Sequence, residues 1–467
     1  MKRAAQNILA IFAGDIASRA VGFLVTVYLA RTLAPEGFGL VTIGLAVLGH
    51  LQLLTSPGFQ VVETRNVAKL SAFDPDRLGG VFVVRSVLSA GALLLTALAV
   101  ALFFPANLTA LVVLASVASL LPMALYADWV LQGKEQFVRV SAARFGGYVV
   151  YGLTALLLVR SPDNIVGAPL AFLAGCSATA LLLGVALVRT AGVPRFRWVP
   201  SMWKSILVEN LPVGWAMFLG QMVINLPPLV IGIFLTTTGA GQYNAAMKLI
   251  FLALILDRVV NAVFLPAVTR MIVRNRSEAE KLIDVGLRVL LVVGIAAMIC
   301  GILLAPYAIF GVFGGQYGEG VIVFQILLLY VVLTLLNSVV VGALVGAGGD
   351  RMYAGVITAG TIALVVFLLV LTPLFGIAGA AGAVVLGEAV TLLLMLNRTA
   401  SVIALPHPGV FVPPLLAGGA GMAVAWFALA AGPVPAVGAA MAAYGIAITL
   451  FKVILPSDVR YLREKLV

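Results

Sequence analysis

Charge is what this chain has least of. Only 10% of its 467 residues are Asp, Glu, Lys or Arg, whereas soluble domains carry about 25%. So few charges cannot build a water-facing surface, which excludes a soluble enzyme. The two cysteines, Cys176 and Cys300, sit in apolar runs and offer neither a disulfide framework nor a metal spacing. The two histidines, His50 and His407, cannot form a histidine metal cluster. No Walker pattern and no plausible Cys/His pair occurs, so neither ATP hydrolysis nor any cofactor is expected.

What fills the chain is apolar. The hydrophobic fraction is 62%, with 48 glycines and 22 prolines, and the mean hydropathy is +1.15. Glycine and proline are both more frequent in membrane helices than in soluble ones. An apolar stretch of about 20 residues crosses a ~30 Å hydrocarbon core. Fourteen such stretches are present, beginning with 7–30 and 38–62 and ending with 410–430 and 434–455. The sequence therefore predicts an all-α polytopic membrane protein with 14 transmembrane helices. The basic N-terminus leads into a run broken by Asp15 and Arg19 and reads as a retained helix, not a cleaved signal.

The net charge of +11 could suggest nucleic acid, but its distribution favours a membrane. Assigned to alternate loops, 22 of the 29 Lys and Arg residues fall on one side and two on the other. A miscounted helix would scramble this asymmetry, so both termini are expected in the cytoplasm. Exported loops are short. A glycolipid polymerase or ligase would need a larger one, and a non-transporting scaffold would not need charged membrane helices.

The two halves echo each other at an offset of about 200 residues. Thr64-Arg65 answers Thr269-Arg270, and Arg85-Ser-Val-Leu answers Arg288-Val-Leu-Leu. The expected organisation is an N-terminal six-helix lobe (1–190), a basic linker (191–207), a second six-helix lobe (208–400), and two extra helices with a tail (401–467). Parallel repeats of this kind place substrate near the midplane between lobes.

Charges at bilayer depth cost about 2.5–3.5 kcal/mol and need a partner or a wet cavity. Asp15, Ser18, Arg19, Gly22 and Thr26 share one face of the first span. This is either a cavity lining or a structural ion pair. Ser141, Arg144, Tyr148 and Tyr151 share a face of the fifth span, suiting either a phosphate beside sugar rings or a snorkelling Arg among interfacial Tyr. Arg85 in the third span leaves the same choice open. Asn210, Gln221 and Asn225 form a stripe on the seventh span, where Pro212 and Pro227-Pro228 are expected to interrupt the helix. In the eighth, Lys248 or Arg258 is expected toward the cavity and Asp257 in an interhelical pair. Glu388 is an isolated membrane acid, suited to a coupling ion or to a neighbouring helix. Asp128 and Glu209 are expected to be solvated. Five intramembrane cations exceed the acids at that depth, which favours an anionic substrate because arginine forks match phosphate oxygens.

The stretch NILAIFAGDIASRAVGFLVTVYLARTLAPEGFG (7–39) resembles the opening of polysaccharide transporters, the O-antigen-type flippases of the multidrug/oligosaccharidyl-lipid/polysaccharide exporter superfamily. Ser18-Arg19 before Gly22-Phe23, Ala30-Arg31-x-Leu33, Pro35-Glu36-Gly37-x-Gly39, Glu63-Thr-Arg65 and Leu131-Gln-Gly-Lys134 carry the resemblance. It implies a V-shaped pair of lobes that flips an undecaprenyl-diphosphate-linked oligosaccharide across the bacterial inner membrane by alternating access. Membrane lipids and polysaccharide polymerase or assembly proteins are the implied partners, with no nucleic acid. Arg19, Arg85, Arg144, Lys248 and Arg258 are the diphosphate candidates. Tyr148, Tyr151, Asn210, Gln221 and Asn225 are the sugar candidates, and Asp15, Asp257 and Glu388 the ion-coupling candidates. Related peptidoglycan-precursor flippases carry an Arg-Asp pair where Val25-Thr26 stands here, which favours the polysaccharide branch. An ion-coupled multidrug exporter is the alternative, and it predicts an acid-dominated cavity.

Overall fold

A computed structural model describes the backbone of residues 2–69, 74–103, 107–195 and 199–466. It describes side chains from residue 16 onward, apart from 200, 456, 459, 462, 464 and 466. Every regular element among the described residues is helical. Among the described residues, twelve helices are long and apolar enough to cross a membrane, so this is a multi-pass membrane protein. Two of the twelve break in mid-course and can each cross twice, which accommodates fourteen crossings.

Helix α1 (Lys2–Thr55) is the first of these, broken at Ala34 with φ 56°. At 1.5 Å per residue its 54 residues would span about 80 Å, far more than one bilayer. Pro35 follows, and a residue before proline is pushed out of the helical region. A second break, Ser56-Pro57-Gly58, ends α1 at Thr55, short of the expected limit at 62. Gly58 has φ +69°, and a Cβ there would lie 2.5 Å from the Asn210 carbonyl oxygen. Helix α2 (Phe59–Lys69) then begins, followed by α3 (Pro75–Phe103). The expected fourth span is three short pieces, α4 (Leu108–Val117), α5 (Leu120–Ala124) and α6 (Asp128–Gly133), with Pro122 within the broken region.

Helices α7 (Phe137–Leu158), α8 (Gly167–Ala191) and α9 (Pro200–Phe234) follow. Helix α9 runs unbroken through Pro212, Pro227 and Pro228, so the expected interruption does not occur. Packing divides the chain into two compact units, Met1–Gly241 and Gln242–Val467. This division falls later than the 191–207 linker set by the repeat, because α9 packs against α1, α2 and α3. Phe59, Val81, Phe82, Trp129, Leu131 and Leu183 belong to one core cluster of the first unit.

The glycines of the Pro-Glu-Gly-x-Gly turn permit one close approach within that unit. A Cβ on Gly39 would lie 1.8 Å from the Thr237 carbonyl oxygen, and one on Gly241 would lie 2.0 Å from that of Pro35. Gly39→Ala must therefore push two backbones apart. It should cost about 1–3 kcal/mol and lower the melting temperature of the purified protein. An unchanged melting temperature would mean that the two segments can separate freely.

The division between units falls within α10 (Thr237–Ala253). The second unit continues with α11 (Ile255–Arg274), α12 (Arg276–Phe313), α13 (Gly320–Gly346) and α14 (Asp350–Ala400). Helix α14 breaks at Gly376, with φ 64°. Helices α15 (Val412–Ala428) and α16 (Pro433–Leu450) form a hairpin packed on α12. The Tyr444 hydroxyl donates to the Val292 carbonyl at 2.9 Å, while Trp426 and Phe427 project outward, 76% and 81% exposed. A short helix, α17 (Pro456–Leu466), closes the chain.

Candidate functional site

In the first unit the stripes of α1 and α7 meet. A Cβ on Gly22 would lie 2.8 Å from the Tyr148 ring, so the glycine makes room for the tyrosine. Arg19 and Tyr148 are exposed, and Arg144 is half-buried. Ser18, one residue from Arg19, is buried, because adjacent helical residues point about 100° apart. Asp15 lies outside the described residues. Tyr151 faces inward, edge-on to Phe172 at 5.5 Å, so it does not share the exposure of Tyr148.

Two of the expected anion ligands are committed within the fold. Arg85 is buried and donates to Ser56 Oγ (3.1 Å) and to the carbonyls of Tyr126 (2.8 Å) and Met123 (2.7 Å). Those carbonyls lie beside the break between α5 and α6, where the helical ladder is interrupted. Arg85 thus repairs a broken helix, a role its sequence position did not suggest. Arg144 Nη2 donates to Asp128 Oδ2 at 2.7 Å. Asp128, expected to be solvated, is buried, because the helix break turns it inward.

Asn210, a sugar candidate, is fully buried and donates to Glu63 Oε1 (3.1 Å) and the Ile206 carbonyl (2.7 Å). It belongs to a network that sequence reasoning missed. Arg77 pairs with buried Glu63 at 3.0 Å and with Glu209 at 2.7 Å, and Asn66 donates to Glu209 at 2.9 Å. Glu209 is accordingly engaged, not simply solvated. The network ties α2, α3 and α9 together. Its one sequence signal was Glu63 in the Glu-Thr-Arg motif. Gln221 and Asn225, further along α9, are half-buried, and the Asn225 carboxamide lies against Gly49.

Two acids of the second unit, Asp257 and Glu388, meet α13. Ser338 Oγ donates to Asp257, and Asn261 Nδ2 donates to Ser338 Oγ at 2.9 Å. Asn337 Nδ2 donates to Glu388 Oε1 at 2.9 Å, while its Oδ1 is buried without a hydrogen-bond partner. Asp257 therefore bridges helices through a hydroxyl rather than a cation, and Glu388 is not isolated. Neighbouring residues on α13, Asn337 and Ser338, hold the two carboxylates, and Ser338 was not foreseen. Lys248 is half-buried and makes no hydrogen bond or ion pair among the described residues. Arg258 is exposed. No group of three or more His, Cys, Asp or Glu is placed to hold a metal among the described residues.

Residues 4–271, more than half of the chain, match the family model described as polysaccharide biosynthesis protein. The chain belongs to that family. The match contains the motifs that carry the sequence resemblance. A protein of Escherichia coli (strain K12) with the provisional name of O-antigen transporter is 23% identical over 381 residues, covering 79% of this chain and 90% of its own. Among solved structures, the lipid II flippase MurJ in its inward closed conformation superposes with a TM-score of 0.77 at 13% identity, covering 95% of this chain and 98% of that one. An inward-facing multidrug resistance MATE family transporter of the MOP superfamily gives a TM-score of 0.60 at 16% identity, covering 82% and 95%. This member of the polysaccharide biosynthesis family therefore has the fold of those transporters.

Proposed function

We propose that the protein is a flippase that carries an undecaprenyl-diphosphate-linked oligosaccharide, an O-antigen or exopolysaccharide repeat unit, between leaflets of the bacterial inner membrane. Transport runs by alternating access, outward from the cytoplasm, where both termini lie. The observation that carries this reading is the surplus of cations at membrane depth, with Lys248 lacking a counter-charge among the described residues. A diphosphate cannot cross hydrocarbon without replacing its lost hydration. Arg19, Lys248 and Arg258 are the assigned phosphate ligands, with Arg144 sharing its charge with Asp128. Tyr148, Gln221 and Asn225 are assigned to the sugars. Arg85, Tyr151 and Asn210 are assigned to the scaffold. Asp257 and Glu388, with the Asn337 and Ser338 oxygens, form a donor set suited to a proton or a hard cation and are assigned to coupling.

Outward movement of negative charge runs with an inside-negative potential, by about 2.3 kcal/mol per charge per 100 mV. Proteoliposomes should therefore flip a fluorescent undecaprenyl-diphosphate oligosaccharide, faster with an imposed inside-negative potential. Absence of flipping across several glycans, with drug efflux in the same vesicles, would replace this reading with multidrug export.

A further inference from the structure

The last two turns of α11, the start of α12 and the C-terminal helix α17 line an open-sided cavity of about 360 Å³. Arg270, Arg274, Asn275, Glu278 and Lys465 contribute to its wall. Helix α17 is held over this corner at several points. Lys465 Nζ lies 3.3 Å from Glu278 Oε2, and Asp458 lies 3.6 Å from Arg288. The Tyr461 hydroxyl reaches the Glu278 carboxylate at 3.0 Å, with Lys281 over its ring at 4.6 Å. Burial, together with that hydrogen bond, pushes the Tyr461 phenol up to about 12, so it remains a donor at neutral pH.

Three nearby cations have partners. Arg276 pairs with Glu280, Arg288 with Asp284, and Lys465 with Glu278. Arg270 and Arg274 do not: neither makes an ion pair or hydrogen bond among the described residues. Four residues apart, they share a helix face, and both line the cavity. Two uncommitted guanidinium forks beside a space of this size match a phosphate group. The volume corresponds to about twelve waters, room for a phosphate with its attached glycerol.

The surroundings favour a lipid as the carrier of that phosphate. Helix α16 ends at Leu450 and α17 starts at Pro456, so α17 begins within a few residues of the end of a membrane crossing. Its amphipathic sequence, in which Arg460, Arg463 and Lys465 outnumber Asp458 and Glu464, suits the headgroup layer. We propose that this cavity binds the phosphate of an anionic glycerophospholipid in the adjoining leaflet, pinning α17 against α11 and α12. The proposal is independent of the transported substrate.

The test is binding, without transport. Purified full-length protein in a neutral detergent is titrated with short-chain phosphatidylglycerol, short-chain phosphatidylcholine or inorganic phosphate. Thermal shift and native mass spectrometry are the readouts. Phosphatidylglycerol should bind in preference to the other two. The pair Arg270→Gln and Arg274→Gln should weaken it by about thirtyfold, as two interfacial cations at roughly 1 kcal/mol each imply. The pair Arg270→Lys and Arg274→Lys should recover part of the affinity, and Arg351→Gln, an exposed cation elsewhere in the unit, should leave it unchanged. Wild-type affinity in the Gln pair would overturn the site. Equal saturation by inorganic phosphate would overturn the lipid as ligand. A null result in either arm leaves the flippase reading untouched, and loss of flipping leaves this binding untouched.

Discussion

Replacing Lys248 with methionine should make the protein more stable and slow its transport. The side chain is half-buried in an apolar helix, with no ion pair or hydrogen bond among the described residues. A cation held at membrane depth is unfavourable by about 2.5–3.5 kcal/mol on insertion scales. Methionine fills a similar volume and removes that penalty, so the melting temperature should rise. If the ammonium meets the diphosphate, its loss removes a charged hydrogen bond of about 1.5–3 kcal/mol. Flipping should then slow by roughly 10- to 100-fold. Lys248→Arg should keep most of the activity, since it keeps the charge. Proteoliposome flipping at matched insertion, paired with a melting curve, reads both effects. Wild-type flipping by the methionine variant would remove Lys248 from the substrate path, and a fall in stability would make it structural.

Arg77→Met should have the opposite signature, with stability lost first. Glu63 is 1% exposed and relies on Arg77 and Asn210. Removing one partner of a buried pair leaves an uncompensated charge, at about 3–5 kcal/mol. Removing both charges, with Glu63→Gln added, should recover much of that loss, because a neutral carboxamide can still meet Asn210. A double-mutant cycle followed by thermal unfolding measures the coupling. A single Arg77→Met variant as stable as the wild type would show that Glu63 tolerates burial through Asn210 alone. The contrast between the two variants separates a cation kept for a ligand from one kept for the fold.

Much of the fold was legible along the chain. Hydropathy located the membrane crossings, and Pro35 stands directly after the break in α1 at Ala34; the close backbone approach at Gly39 appears only in the fold. The errors lay where proline and glycine act locally. The crossing expected to reach 62 ended at Thr55, and the expected fourth crossing, present as Leu108–Gly133, is three helical pieces and not one continuous helix. Conversely, α9 stayed helical through three prolines, since packing against neighbouring helices offsets the lost backbone bonds.

The candidate site was legible only as a set of residue types. Both acids assigned to coupling were visible as rare charges in apolar runs, but Ser338, which holds Asp257, looks ordinary in sequence. Arg85 and Lys248 read alike along the chain and have opposite circumstances in the fold.

Length, hydropathy, charge asymmetry and motif order are properties of the chain itself. They alone indicate a many-crossing helical protein with cation-rich loops and more cations than acids within its apolar spans. Which charges are satisfied is a different question, since a partner is a matter of distance in space. Arg85 finds its carbonyls 38 and 41 positions away, and Asp257 finds Ser338 at a separation of 81. Only the packed helices bring such groups within the roughly 3 Å that a hydrogen bond requires. Tertiary structure therefore divided the cations into those that complete the fold, such as Arg85, and those, such as Lys248, that make no ion pair or hydrogen bond among the described residues.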